Sequence, residues 1–88
     1  RRNIEEARII ALSVRSHMLN NPDETLGVVT MNVQQREQIE REIEILAKDG
    51  DKKFADIYEK NLNRPNESFF IKNLENVQGD ERDVIYIS

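Results

Sequence analysis

The feature that most constrains the fold of this chain is a short apolar run, Leu26-Gly27-Val28-Val29-Thr30. It is rich in β-branched residues, which are typical of β-strands. A strand with one face in water alternates apolar and polar residues, but this run does not alternate. We therefore predict a strand that is buried on both faces, as in parallel sheets whose faces are covered.

Helical periodicity occurs on both sides of this run. Apolar residues recur at steps of three and four from Asn3 to Leu19 and from about Val33 to Lys48, which predicts two amphipathic helices. The segment from Phe54 to Leu62 predicts a shorter third helix, in which the aromatic rings pack in the core. Asn3 is a candidate N-cap, and Glu6 would complete a capping box.

The second predicted helix divides into an inner and an outer face. Its inner stripe is predicted to contain Gln35, Ile39, Ile43 and Leu46. Its glutamates are expected to form a solvated surface with neighbouring arginines. These glutamates are Glu37, Glu40, Glu42 and Glu44.

Two further apolar segments, Ser68 to Lys72 and Val84 to Ser88, predict a second and a third strand. Strands that alternate with helices are typical of a parallel sheet. The predicted fold class is therefore α/β, with a short parallel sheet of about three strands and flanking helices. We expect residues 1–88 to form one partial domain.

The charge balance excludes several classes of function. With 13 Lys and Arg against 17 Asp and Glu, a net charge of -4 argues against nucleic-acid binding through bulk positive charge. The chain has no cysteine and one histidine, which excludes a disulfide framework and a thiolate or His-rich metal centre. No apolar stretch approaches the roughly 20 residues of a membrane span, and no signal peptide is recognisable. We expect an intracellular, cytoplasmic protein with no membrane partner.

Ligands of open parallel sheets bind beyond the carboxyl ends of the strands. Three segments are expected to lie there: Thr30 to Arg36, Asn73 to Asp83, and whatever follows Ser88. In the second, Gly79 would let the backbone turn tightly and approach a ligand closely. On composition alone, this second segment is more typical of a solvated turn than of a site, and Arg36 is more typical of a surface arginine.

The first two of these segments resemble motifs of one enzyme family. Gly27 to Arg36 resembles motif IV of superfamily 1 helicases, and Gln78 to Ser88 resembles their motif V, a Gln-Gly-any-Glu-any-Asp run before an apolar strand that ends in Ser. Asn3 to Ala7 is similar to the start of the preceding helix in the branch that contains the nonsense-mediated-decay RNA helicases and the nuclease-fused DNA replication helicases. The order and spacing agree over nearly the whole chain, and residues 49–66 are the least diagnostic.

The resemblance implies part of a P-loop NTPase, namely the first half of the second RecA-like domain of an ATP-dependent helicase. Arg36 matches the arginine that reaches the γ-phosphate, where a guanidinium stabilises charge spread over phosphoryl oxygens. Gly79 matches the glycine whose backbone approaches the same phosphate. Glu81 matches the carboxylate that holds the ribose, and Gln35 and Gln78 are also assigned to the nucleotide.

The resemblance also implies partners for the intact protein. Asn73 occupies a strand-end position where the family often has a Ser or Thr that touches the nucleic-acid backbone. The Asn73 amide can also donate a hydrogen bond there, but its side chain is longer than that of Ser or Thr. Met31-Asn32 replaces the usual Pro-aromatic pair, so an aromatic contribution is missing there. The implied partners are single-stranded DNA or RNA and the remaining helicase domains of the same chain, and the implied cofactors are ATP and Mg²⁺.

Several parts of a helicase are absent from these residues. There is no Gly-any4-Gly-Lys-Ser/Thr loop and no Asp-Glu pair after a strand, and motif VI would begin beyond Ser88. We therefore expect a piece of a larger protein that neither holds ATP and Mg²⁺ nor hydrolyses ATP alone. The alternative is a non-catalytic α/β interaction module that binds a partner through its open strand edge or its helices. Open strand edges also predict self-association of the isolated piece.

Overall fold

The computed structural model describes residues 3–49 and 51–88. They form three α-helices, three β-strands and one short 3-10 turn: α1 (Ile4–Asn20), β1 (Leu26–Thr30), α2 (Val33–Lys48), α3 (Lys52–Leu62), β2 (Phe70–Asn73), the turn Leu74–Asn76 and β3 (Val84–Ile87). The strands form one parallel sheet in the order β2-β1-β3. The predicted α/β fold with a short parallel sheet and flanking helices is confirmed. The arrangement is consistent with part of a RecA-like domain.

Each of the three helices begins at a residue whose side chain caps it. Asn3, Asn32 and Asp51 accept a hydrogen bond from the backbone N–H three residues later, at 3.0, 2.8 and 3.1 Å. The predicted N-cap of α1 is confirmed, but its capping box is not completed, because the Asn3 N–H donates to Gln35 instead of Glu6. Within residues 3–49 and 51–88, no helix has the length and apolar character that a membrane crossing requires.

The second strand begins two residues later than predicted and includes Asn73. The cause is a contact with α3, since the Phe69 N–H donates to the Asn61 carbonyl at 3.1 Å instead of joining the sheet. The third strand ends at Ile87, although the Ser88 N–H still donates to the Val29 carbonyl at 2.9 Å.

The three helices pack on one face of the sheet. The strand residues that contact them alternate along each strand, as the pleat requires. Among the described residues, the core is built from ten buried side chains: Ala7, Ala11, Val14, Met18, Leu26, Val28, Ile39, Ile43, Phe54 and Phe69. The expectation that β1 is buried on both faces is confirmed, since all five of its residues are buried.

Aromatic packing holds α3 against the core. The rings of Phe54 and Tyr58 stack with centroids 5.7 Å apart, and Tyr58 meets the edge of Phe69 at 5.8 Å. Burial, together with the negative charges of Glu40 and Glu44, raises the pKa of Tyr58 to about 12. The prediction that these rings pack in the core is confirmed.

The second face of the sheet is covered by side chains of the strands and their connections. The Phe70 ring lies across Gly27, and the cations of Lys72 and Arg82 lie over this ring at 5.0 and 4.9 Å from its centroid. No helix among the described residues covers this face. As a result, Ile85 and Ile87 of the edge strand are 37% and 71% exposed.

The expectation that Glu42 lies on the solvated surface is wrong. Glu42 is 8% exposed, and its carboxylate accepts a hydrogen bond from Gln38 at 2.8 Å and lies 3.4 Å from the Arg8 guanidinium of α1. Helix α1 packs along this side of α2 and removes the glutamate from water, and an arginine pairs with it there. The other three glutamates of the predicted surface are exposed.

We predict that Gly27→Ala destabilises the protein by about 1–3 kcal/mol, because an added Cβ overpacks this position. A Cβ at Gly27 would lie 2.5 Å from the Phe70 ring. Urea unfolding should show a lower midpoint with an unchanged m-value. In the double variant with Phe70→Leu, part of the loss should be recovered, and an unchanged midpoint in the single variant would contradict the packing described.

Candidate functional site

The carboxyl ends of the three parallel strands meet at one edge of the sheet. Thr30 and Asn73 are register partners at the ends of β1 and β2, and Val29 pairs with Ile87 near the end of β3. Helix α2 begins three residues after β1 ends, so its first turn lies at this edge. This is the edge where open parallel sheets bind ligands.

Two buried polar residues, Thr30 and Asn73, are hydrogen-bonded to each other at the ends of β1 and β2. The Thr30 hydroxyl lies 3.1 Å from both the Asn73 Oδ1 and the Asn32 carbonyl, so its single hydrogen is shared between two acceptors. Asn73 is 5% exposed. Of its amide, only Nδ2 has no hydrogen-bond partner among the described residues.

Gln35 connects the first turns of α1 and α2. Its Oε1 accepts the Asn3 N–H at 2.7 Å, and its Nε2 donates to the Asn3 carbonyl at 3.2 Å, so one amide pairs with both backbone groups of one residue. Nε2 also lies 3.3 Å from a Glu6 carboxylate oxygen, which accepts the Ser88 hydroxyl at 2.6 Å. Gln35 is 4% exposed. The network therefore fastens α1, α2 and the end of β3 together.

Arg36 follows Gln35 in the first turn of α2 and is half-buried. Within residues 3–49 and 51–88, its guanidinium makes no ion pair and no hydrogen bond. A cation near a helix N-terminus is disfavoured by the helix dipole. No acidic residue lies in the first turn of α2 to offset this. Arg36 therefore does not stabilise the helix electrostatically, and its charge is available to an external anion.

The β2–β3 connection (residues 74–83) runs back along the sheet from its carboxyl edge to its amino edge. Asp80 lies beside Lys72 with an Nζ–Oδ2 distance of 3.0 Å, and Arg82 donates to the Ser68 carbonyl at 3.0 Å. At the far end, Asp83 exchanges two hydrogen bonds of 2.8 Å with Thr25, just before β1. The expectation that Asn73 to Asp83 lies wholly beyond the carboxyl ends is therefore wrong for its last residues.

The middle of this connection is exposed and sharply turned. Gly79 has a φ of 71°, and an added Cβ would meet no atom within 4 Å. Gln78 and Glu81 are exposed, and neither side chain has a hydrogen-bond partner among the described residues. Asp80 lies between Gln78 and Glu81 in the sequence. The hydrogen bond from Lys72 lowers the pKa of the Asp80 carboxyl group.

The structure divides the predicted site residues into two groups. Gln35 and Asn73 are buried and hold the protein together, whereas Arg36, Gln78, Gly79 and Glu81 are accessible. No hydrogen bond or ion pair between described residues joins Arg36 to the β2–β3 connection. The described residues also contain no group of three His, Cys, Asp or Glu side chains placed to hold a metal ion.

Sequence reasoning missed the polar contacts that surround these residues. Glu6 was expected to act only within the cap of α1, but it accepts hydrogen bonds from Gln35 and Ser88. The ion pair between Lys72 and Asp80 was not predicted at all. Their opposite charges and separation of eight residues were visible in the sequence, but only the return of the connection along β2 brings them together.

The comparison with known proteins links this chain to a helicase. Over 93 aligned positions it is 36% identical to an uncharacterized ATP-dependent helicase of Mycoplasma genitalium. The alignment includes 99% of this chain but only 8% of that helicase. No protein-family model matches the chain, and no solved structure matches it significantly. The chain is thus an α/β unit with a helicase-like relationship to a short segment of a much longer protein.

We predict that Gln35→Met lowers the free energy of unfolding by about 1–3 kcal/mol, because the buried hydrogen bonds between α1 and α2 are lost without much change in volume. Gln34→Met on the same turn is the matched control, since Gln34 is exposed. It should change stability by less than about 0.5 kcal/mol. Equal urea midpoints for the two variants would show that the Gln35 contacts contribute nothing.

Proposed function

We propose that this chain contributes one side of the ATP cleft and part of the nucleic-acid track in a superfamily 1 helicase. It would form the first half of the second RecA-like domain, carry motifs IV and V, and be inactive alone. Two observations support the proposal. The chain is related to a segment of an ATP-dependent helicase, and its accessible polar residues lie on an edge and a loop of a parallel sheet.

The observation that carries the proposal is the state of Arg36. Its guanidinium is without a partner among the described residues, although it lies half-buried on a rigid helix. Gln35 anchors the same helical turn to α1 through three hydrogen bonds. A planar, permanently charged group held in this way suits the oxygens of a transferred phosphoryl group. We assign Arg36 as the catalytic residue that contacts the γ-phosphate.

The β2–β3 connection supplies the second set of contacts in this proposal. Gly79 has open space where a side chain would be, so its backbone is accessible to a phosphate. The unpaired carboxylate of Glu81 can accept hydrogen bonds from the ribose hydroxyls, and Gln78 offers both a donor and an acceptor beside them. Gln35 then supports Arg36 through its contacts within the protein.

The described residues suit only part of a nucleotide complex. They offer contacts for phosphate and ribose, but no cluster of metal ligands. In this proposal Mg²⁺ and the rest of the triphosphate are therefore held by other domains of the longer chain. Bound there, Mg²⁺ would neutralise charge on the phosphates. The residues of this chain would orient the γ-phosphate and the ribose.

The nucleic-acid contact is proposed at Asn73. Its Oδ1 is engaged by Thr30, so Nδ2 is the group that would donate to a phosphate of single-stranded DNA or RNA. Because Asn73 is 5% exposed, this contact requires the strand to lie directly against the sheet edge. The β2–β3 connection, which follows Asn73, carries Gly79 and Glu81, so in this proposal it lies between the two ligands.

We predict that Arg36→Ala in the full-length protein lowers the ATP hydrolysis rate by about 10³-fold with little change in ATP affinity, because the arginine acts on charge that develops during transfer. The rate is measured with and without single-stranded nucleic acid. Arg41→Ala is the matched control, an exposed arginine on the same helix, and it should leave the rate within about twofold.

An unchanged rate in Arg36→Ala would contradict the assignment of this residue. Absence of ATP turnover in the folded full-length protein would contradict the helicase proposal as a whole. The non-catalytic interaction module would then be the better explanation. The exposed apolar residues of its edge strand, Ile85 and Ile87, would be the surface to examine for a partner.

A second prediction concerns Glu81 and the ribose. The wild-type full-length protein should use ATP better than 2′,3′-dideoxy-ATP by about tenfold in kcat/KM, because hydrogen bonds to a carboxylate are lost with the hydroxyls. In Glu81→Ala this preference should disappear. Glu75→Ala, an exposed glutamate of the same connection, should retain the preference. A preference that persists in Glu81→Ala would place the ribose elsewhere.

A further inference from the structure

The residue between Gly79 and Glu81 is fastened to the sheet. Asp80 directs its carboxylate to Lys72 on β2, with Nζ and Oδ2 3.0 Å apart. The side chains of Lys72 and Asp80 are 37% and 22% exposed, so the pair is partly shielded from water. In contrast, the Lys52–Asp56 pair on α3 has side chains that are 87% and 67% exposed.

A second attachment lies on the other side of Glu81. The Arg82 guanidinium donates to the Ser68 carbonyl at 3.0 Å, and its centre lies 4.9 Å from the Phe70 centroid. The Lys72 ammonium lies 5.0 Å from the same centroid. Both residues that flank Glu81 therefore turn towards β2, and Glu81 itself is exposed.

The strand that receives these attachments is itself firmly held. β2 pairs with β1 from Gly27↔Phe70 to Thr30↔Asn73, and the Phe70 ring lies directly against Gly27. A loop tied to a strand loses much of its freedom, because its backbone cannot move without breaking the attachments. The φ of 71° at Gly79 occurs at the turn that leads into the attached segment.

We propose that Lys72 and Asp80 form a clip that positions Gly79 and Glu81 for the nucleotide. The inference rests on the proposed function, because it concerns the loop that would contact phosphate and ribose. Lys72 and Asp80 are positioning residues and touch no reacting atom. The clip increases the fraction of protein molecules in which the β2–β3 connection has the conformation that binds the nucleotide. The apparent affinity for ATP rises with that fraction.

The test uses the full-length protein and compares three changes. Lys72→Met removes the ammonium, and with it both the ion pair and the cation–π contact with Phe70, but keeps a side chain of similar length. Asp80→Asn removes the charge with almost no change in shape. The double variant Lys72→Glu/Asp80→Lys exchanges the charges and restores a pair. Lys52→Met and Asp56→Asn form the matched control, since they break an ion pair away from the loop.

Each single change should raise the KM for ATP by about two- to fivefold, the range that a partly exposed ion pair supports. The value of kcat should stay within about twofold, and the charge-exchanged variant should return the KM to near the wild-type value. Added salt should raise the KM of the wild type more than that of Lys72→Met. The control variants should match the wild type in all these values.

Limited proteolysis after Glu81 is a second measurement that does not depend on turnover. Cleavage of the native protein by a glutamate-specific protease should become faster at this position in Lys72→Met and Asp80→Asn, but not in the control variants. An unchanged cleavage rate would overturn the clip, and so would a KM that stays raised in the charge-exchanged variant.

Failure of the clip differs from failure of the proposed function. If Arg36→Ala abolishes turnover and the Lys72 and Asp80 variants keep the wild-type KM, the clip is overturned and the function stands. If the folded full-length protein shows no ATP turnover, the proposed function fails, and the positioning role for the nucleotide fails with it.

Discussion

The structure depends on the burial of one strand, β1, between two parallel neighbours. Its backbone groups are bonded on both sides, and all five of its residues are buried. The helices cover one face, and Phe70 covers the other by lying across Gly27. This contact requires a glycine, because a Cβ would enter the ring. The position of Phe70 in turn places the cations of Lys72 and Arg82 on the second face.

The polar side chains at the carboxyl edge have two different roles. Gln35 and Thr30 are buried and use their side-chain hydrogen-bonding groups within the protein, and the buried Asn73 does so through its Oδ1. Arg36 and Glu81 have no such partners among the described residues. A buried polar group that is fully bonded makes its surroundings rigid, whereas an accessible unpaired charge is suited to a ligand. The carboxyl edge of the sheet and the adjoining loop therefore combine buried, hydrogen-bonded side chains with the charged side chains of Arg36 and Glu81, which are accessible to a ligand.

The link to a helicase fits this division of roles. The relative is an ATP-dependent helicase by name, and the chain matches only 8% of it. In the proposed function, a unit of this size would supply positions and charges to a cleft that other domains complete. Catalysis of phosphoryl transfer consists largely of positioning and charge stabilisation. In the proposed function, a few well-supported groups, such as Arg36 on an anchored helix, would make a contribution of this kind.

Much of the fold could be predicted from the chain itself. The lack of alternation in Leu26–Thr30 indicated a buried strand, and the periodicity of residues 33–48 indicated the bounds of α2, because local patterns of burial follow the period of each element. The candidate site residues were identified by motif and spacing, and their roles remain predictions.

Contacts between distant segments were decided only by the tertiary structure. Glu42 has the character of a surface residue on its own helix, but α1 covers it and Arg8 pairs with it. Likewise, Asn3 was recognisable as a cap, but its N–H bonds to Gln35, 32 positions away. The sequence alone thus determined the parallel α/β plan, the N-cap of α1 and the candidate residues, because these depend on local periodicity and side-chain chemistry. The tertiary structure decided which polar groups are paired and which remain accessible, because pairing depends on packing between elements far apart in the chain.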